Sequence, residues 1–437
     1  MDIIIMAAQL LLALSILVGM HELGHMLTAK YFGMRVEKFS IGFPPKIFSF
    51  RKGDTEYQLG SIPLGGFVKI TGMIDESLDS EAMKQEPKPF EFRSKPAWQR
   101  LIVMMGGIIV NFLLGIFIYI CVLWYYGETY IPKDEVNKNG IVAFELAEKL
   151  GMKTGDKILK VNGHDFEKFP QDILTPEMLL AGNSYYTVQR GHDTLQIRIP
   201  DSFISEFSSG KKAFLDAAYP FAVKRVVEGS NAEKGGLKGG DKILTVNNSK
   251  VTYFHELQKL LRENKNKKVA VEVQRGGAVQ TLNLQVDTSG RVGFEPELLL
   301  KSALDKYSVA EAAQLGTQKA LSTITNTIKA FGEMISGRLN ASESVAGPVG
   351  IAKEFGAIWI WEKFWILTAS LSMILAFMNF LPIPALDGGH VMFLTYEMVA
   401  GRKPSDKFLE NAQKVGMAML LTLMVFVLGN DIWKIFK

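Results

Sequence analysis

Four stretches of this 437-residue chain are nearly free of charge and long enough to cross a hydrocarbon layer roughly 30 Å thick. They run from Ile3 to Met20 and slightly beyond, from Leu101 to Tyr126, from Phe364 to Leu386, and from Val415 to Ile432. Between the second and third lies a long, charged stretch that cannot enter lipid. The expected fold class is a polytopic α-helical membrane protein of about four transmembrane helices with a large water-soluble insert. Membrane lipid is then its solvent. The net charge of +4 and the absence of a Lys/Arg-rich tract exclude nucleic acid as a partner. The single cysteine, Cys121, lies in the second span and reads as a small buried apolar residue. The chain starts with Met1-Asp2, without the positive charge of a signal peptide, so the first apolar run reads as a retained span.

Charge sets an expected orientation. Lys30, Arg35, Lys38, Lys46, Arg51 and Lys52 follow the first span, and Arg93, Lys95 and Arg100 precede the second. Arg402, Lys403 and Lys407 lie between the third and fourth. Such clusters mark the cytoplasmic side, which puts the N-terminus and the insert outside.

Residues Arg35 to Gly72 read as strands. Val36 to Ile41 and Lys46 to Phe50 flank Pro44-Pro45, and Tyr57-Gln58-Leu59 and Phe67 to Ile70 follow among glycines. Beside a membrane site they are either an edge offered to a substrate or an ordinary hairpin. Asp75 to Pro89 is acidic and reads as a mobile loop. Within the insert, Gly155-Asp156-Lys157-Ile158-Leu159 reappears as Gly240-Asp241-Lys242-Ile243-Leu244, and Val188-Gln189-Arg190-Gly191 as Val273-Gln274-Arg275-Gly276. Both pairs share an offset of 85 residues, the mark of a duplicated domain. Each copy resembles a PDZ domain, most fully from Ala232 to Asn248, which implies a groove for an extended peptide; the alternative is a spacer that binds none. Tyr307 to Leu339 shows apolar residues at helical spacing. It is expected as an amphipathic helix on the outer membrane surface or packed on the second repeat.

The chemistry-bearing residues are His21-Glu22-Leu23-Gly24-His25 at the end of the first apolar run. Two histidines four apart on a helix face the same way and can share a metal ion, with Glu22 beside them to take a proton from an attacking water. Such residues are expensive in a membrane and are there for function. At about 1.5 Å per residue, His21 lies roughly 27 Å from the outer end of its span, towards the cytoplasmic leaflet. Catalytic zinc takes a third protein ligand. The third span ends in Asn379-Phe380-Leu381-Pro382-Ile383-Pro384-Ala385-Leu386-Asp387-Gly388-Gly389-His390, whose prolines and glycines break the helix at membrane depth. Asp387 is the better candidate there, with His390 in support.

These two segments together resemble the site-2 protease family of intramembrane zinc proteases. The paired PDZ-like repeats between the second and third spans resemble its bacterial branch, of the regulator of sigma-E protease type. The resemblance covers nearly the whole chain. It implies Zn2+ held by His21, His25 and Asp387, and Glu22 as general base. It implies substrate contacts from Asn379 and Pro384 and from a membrane-associated β-hairpin that includes Gly65, Phe67, Val68, Lys69 and Ile70. It further implies a multi-pass protein of the bacterial inner membrane that cuts transmembrane substrates, with a pre-trimmed anti-sigma factor as the expected partner. Gly347-Pro348-Val349-Gly350-Ile351 resembles a further family segment. Where relatives often carry Gly-Pro-x-x-Asn-Phe, this chain has Gly107-Ile108-Ile109-Val110-Asn111-Phe112, so a helix kink there is not assured. Gly42-Phe43-Pro44 stands where many relatives have Gly-x-Gly.

The domain organisation expected from all this has a first span with HELGH (1–34), a hairpin region and loop (35–97) and a second span (98–126). Two PDZ-like domains (127–215 and 216–298) and an amphipathic linker (299–355) follow. The third segment (356–400) and a fourth span (401–437) complete it. Two rival readings stand beside this one. In one, the protease acts on signal-peptide remnants or peptide precursors. In the other, the chain is a non-catalytic PDZ scaffold, which the intact His21, Glu22, His25 and Asp387 disfavour.

Overall fold

The computed structural model describes residues 2–73, 86–175, 183–200, 203–208 and 213–436. The loop expected from Asp75 to Pro89 falls mostly outside them. The chain divides into one unit of Met1–Gly127, Lys306–Gly332 and Ala341–Lys437, and another of Glu128–Asp305 with Glu333–Asn340.

The first unit contains α1 (Asp2–Tyr31), β1 (Val36–Lys52), β2 (Thr55–Ile70), α2 (Ala97–Tyr126), all but the last turn of α3 (Val309–Ile335), α4 (Pro348–Phe355), α5 (Trp361–Phe380), α6 (Asp387–Ala400) and α7 (Asp406–Phe436). Among the described residues, α1, α2, α5 and α7 are long and apolar enough to cross a membrane, and they coincide with the four apolar stretches. In lipid the backbone must bond within its own segment, so long apolar runs become helices. The chain is a multi-pass membrane protein. α2 runs unbroken through Gly107 to Asn111.

Small residues set the helix contacts. A methyl group on Gly24 would lie 2.3 Å from the Gly106 carbonyl oxygen, so only glycine lets α1 and α2 approach this closely. α5 meets α2 where Met373 fills the space beside Gly115 and where the Ser372 hydroxyl donates to the Asn111 carbonyl at 2.7 Å. α3 turns its small-residue face, Ala312, Gly316 and Ala320, inward, with Gly316 against Ile120 of α2. Its small-residue face is therefore covered by a transmembrane helix, while Val309, Ile328 and Ile335 of the apolar stripe are exposed. A periodic stripe marks a face but not what covers it. At the end of α7, the buried Asp431 carboxylate accepts from the backbone N–H groups of Gly347 at 3.1 Å and Val349 at 2.8 Å, so the Gly347–Ile351 segment is held by a span. Cys121 is half-buried and not buried.

β1 and β2 are bent, and each serves as two strands. Val36 to Ile41 pairs on one side with Gly66 to Ile70 and on the other with Glu56 to Leu59, which in turn pairs with Phe48 to Arg51. The four short strands expected from sequence are thus one four-strand antiparallel layer. Its outer segment, Gly66 to Ile70, pairs with no further strand among the described residues.

The second unit contains the duplicated folds. Lys157–Val161 pairs with Tyr185–Arg190, which pairs with Asp193–Arg198; Lys242–Val246, Lys268–Arg275 and Ala278–Gln285 repeat the arrangement. Each repeat has its own apolar core, one around Tyr186 and Ile158, the other around Val271 and Ile243. The two motifs that match at one offset are chemically a single device. Arg190 clamps Asp156 at 2.7 Å, and Arg275 clamps Asp241 at 2.6 Å. Each aspartate also accepts a backbone N–H three residues earlier, from Lys153 or Lys238.

Burial pushes the Asp241 carboxyl up, but the Arg275 guanidinium and the Lys238 N–H outweigh it and hold the group below its ordinary value. This contribution to stability is present above the ordinary carboxylate range and is lost as pH falls through the lowered value. Replacing Arg275 by Leu strands a buried carboxylate and is expected to cost on the order of 3 kcal/mol. Hydrogen exchange should quicken in Lys242–Val246 and Lys268–Arg275 and stay unchanged in the first repeat.

Candidate metal centre

α1 carries His21 and His25 one turn apart, on the face that meets α2. Gly107 of α2 lies directly opposite. A methyl group there would sit 2.5 Å from His25 Nε2 and 2.6 Å from His21 Cε1, so its missing side chain is the space the two rings occupy. One turn earlier on α2, the Val103 carbonyl lies 2.8 Å from His25 Nδ1. That contact accepts the Nδ1 proton and leaves His25 Nε2 with a free lone pair.

The third member comes from the broken span. α5 ends at Phe380, Leu381 to Leu386 form a turn, and α6 begins at Asp387. Gly388 and Gly389 let this turn fold onto α6: a methyl on Gly388 would meet the Leu381 oxygen at 2.2 Å, and one on Gly389 the Ile383 oxygen at 2.6 Å. Ala385 takes a left-handed φ of 79°, a strained setting for a side chain. Gly416 of α7 backs the turn against the Pro384 carbonyl.

Three atoms converge as a result. His21 Nε2 and His25 Nε2 are 3.1 Å apart, and Asp387 Oδ2 stands 3.0 Å from the first and 3.3 Å from the second. With ligand bonds of about 2.0–2.1 Å at tetrahedral angles, donor atoms of a zinc site stand about 3.3 Å apart, so the triangle matches one face of such a site. Although Asp387 Oδ2 is close to both rings, it is buried without a well-directed hydrogen bond. An oxygen so placed suits a cation. The residues fit zinc.

A cavity of about 490 Å³ opens beside this triangle, and Glu22 lines it. So do Phe67, Val68, Lys69 and Ile70 of the unpaired edge, with Asn379, Leu386 and His390. Gly66 lets the edge come close: a methyl group there would lie 3.4 Å from Glu22 Cγ and 2.5 Å from the Ser40 oxygen. Of the residues singled out by sequence, His21, Glu22, His25, Asp387, Asn379 and Phe67 to Ile70 meet at this cavity. Gly65 lies under the Phe43 ring, and Pro384 supports the turn from behind, so neither is among the cavity-lining residues. Sequence reasoning missed Val103, Gly107, Lys38, Met104 and Gln413, the last three of which also line the cavity. Only the four-residue spacing of Val103, Gly107 and Asn111 could have pointed to the α2 stripe.

The model of Peptidase family M50 matches residues 9–423. The chain is 30% identical to the Regulator of sigma E protease of Haemophilus influenzae, over 96% of this chain and 97% of that one. It is 28% identical to the Regulator of sigma-E protease RseP of Escherichia coli, over 97% of each. It is 29% identical to the Metalloprotease MmpA of Caulobacter vibrioides, over 99% of this chain and 97% of that one.

The role given to Gly107 has a direct check. Gly107→Val should push both imidazoles aside and remove most of the zinc from the purified protein while circular dichroism shows the helices retained. Unchanged zinc in that variant would mean that the rings do not occupy the space beside Gly107.

Proposed function

The chain belongs to peptidase family M50, and on that premise we propose that it is an intramembrane endopeptidase whose zinc is held by His21, His25 and Asp387. The observation that carries the reading is the triangle of two Nε2 atoms and one carboxylate oxygen at 3.0–3.3 Å beside Glu22. Zinc held there supplies a Lewis acid for the scissile carbonyl and lowers the pKa of water. Glu22 takes one proton from the attacking water as its oxygen bonds to the carbonyl carbon. As the C–N bond breaks, Glu22 returns that proton to the leaving amine. The low polarity around these groups strengthens each of the interactions involved.

A substrate helix hides its carbonyls in its own hydrogen bonds, so a stretch must unwind before attack. We propose that the unwound stretch pairs with Phe67 to Ile70, whose outer edge lacks a partner strand among the described residues, and that Asn379 steadies it from the broken span. Pro384 and Gly65 act indirectly, by shaping the turn and the hairpin. His390 lines the same cavity and supports the site.

The substrate class is a single-span membrane protein, and the names of the Haemophilus and Escherichia relatives favour an anti-sigma factor. The bacterial relatives favour an inner membrane, and the charge bias favours an orientation with the repeats outside and the metal towards the cytoplasm. In that reading the role of the repeats is to screen what enters or to hold a peptide of an incoming partner.

Three outcomes follow. His21→Ala and Asp387→Asn should each lose most of about one zinc per chain, read by elemental analysis. Glu22→Gln should keep zinc and substrate and lose cleavage; near wild-type cleavage would remove Glu22 from the proton's path. A version lacking about residues 128–290 should keep its zinc yet cut a full-length substrate as readily as a trimmed one. If it still discriminates as the full chain does, selection lies in the membrane unit.

A further inference from the structure

His25 and His21 both lie opposite Gly107, but their far nitrogens are met differently. His25 Nδ1 faces a backbone carbonyl, which every residue at position 103 would supply. His21 Nδ1 faces a side chain, the amide of Asn111, at 3.4 Å. Val103, Gly107 and Asn111 form one stripe along α2, each four residues from the next, so the two contacts are made by the same helix face. Asn111 is 1% exposed, within an otherwise apolar span, where an amide is costly without a purpose. Its backbone is fixed from the other side by the Ser372 hydroxyl.

We propose that Asn111 is the positioning residue of His21, its side-chain oxygen accepting the Nδ1 proton so that Nε2 keeps the lone pair aimed at the metal. In the structure the –NH2 group faces Nδ1 at 3.4 Å, and the amide oxygen, turned away, is buried without a hydrogen-bond partner. That orientation requires a lone pair at Nδ1 and puts the ring's proton on Nε2, where it blocks ligation; a half-turn of the amide brings the oxygen to Nδ1 instead. The oxygen and nitrogen of an amide exchange places by a half-turn, and the hydrogen-bond network decides between them. Here the demand comes from His21. The two histidines thus differ: the main chain sets one and a replaceable side chain sets the other, so position 111 tunes the affinity of the site.

This inference rests on His21 being a ligand, and the experiment separates the two claims. Zinc dissociation constants are measured on the full chain in detergent by competition with a chromophoric chelator, for wild type, His21→Ala, Asn111→Leu, Asn111→Ala and Asn111→Asp. Asn111→Leu and Asn111→Ala are expected to weaken zinc binding by about tenfold to a hundredfold, and Asn111→Asp, which keeps an acceptor, to stay within about threefold of wild type. A residue that only packs would behave in the opposite way, since Leu is near in size and Asp buries a charge. The proposal is overturned if Asn111→Leu binds as wild type does, or if Asn111→Asp is as weak as Asn111→Leu. Should Asn111→Leu fail to give monodisperse protein, the contrast between Asn111→Ala and Asn111→Asp decides in the same way. If His21→Ala keeps full affinity, the ligand reading itself fails; if it loses zinc while the Asn111 variants do not, only the present proposal does.

Discussion

The close crossing of α1 and α2 at Gly24 and Gly106 is the contact on which the site depends. Lipid offers no hydrophobic drive for two apolar helices to associate, so contact comes from close packing of small residues. Two glycines bring the helix backbones together, and Gly107 clears the space for both imidazoles. The same approach brings the Val103 carbonyl within 2.8 Å of His25. A metal site in a membrane needs polar groups fixed in number and direction, and this crossing supplies both without admitting a loop between the helices.

The second constraint is that a carboxylate must arrive at the same depth. A continuous third helix would present its side chains at fixed turns. The break between Phe380 and Asp387 places Asp387 in the first turn of a new helix, its oxygen directed at the two rings. The turn is costly, with a left-handed Ala385 and glycines pressed against carbonyls, and α7 holds it in place through Gly416. Beside the cavity, Gly66 lets an unpaired strand edge lie close against the Ser40 carbonyl and next to Glu22. Glycine therefore recurs around the site, at Gly24, Gly66, Gly388, Gly389 and Gly416 for close approach of backbones and at Gly107 to make room for the two rings.

Much of this is legible in the sequence, and the gaps have physical causes. The spans are visible because the solvent dictates them locally. Asp387 stands out because an acid at a helix break in a membrane is costly unless a cation or a polar partner meets it. The strand segments of the hairpin can be found one by one, yet their order within the layer depends on two bends that alternation does not encode. The matched motifs around Asp156 and Arg190 mark a duplication in the sequence, but only the fold joins them as an ion pair. Val103 cannot be found, because a backbone carbonyl has no residue identity. Gly107 acts by what it lacks, and Asn111 attracts notice as part of a motif but without a role. The partner of the small-residue face of α3 is likewise hidden until the fold sets α2 against it.

Two imidazoles and one carboxylate form the protein part of the proposed zinc site within the membrane. Zinc K-edge X-ray absorption on the purified chain tests it most directly. Four light-atom ligands at about 2.0–2.1 Å are expected, with the multiple-scattering pattern of two imidazoles. A sulfur ligand at about 2.3 Å, or a metal shell without imidazole, would contradict it.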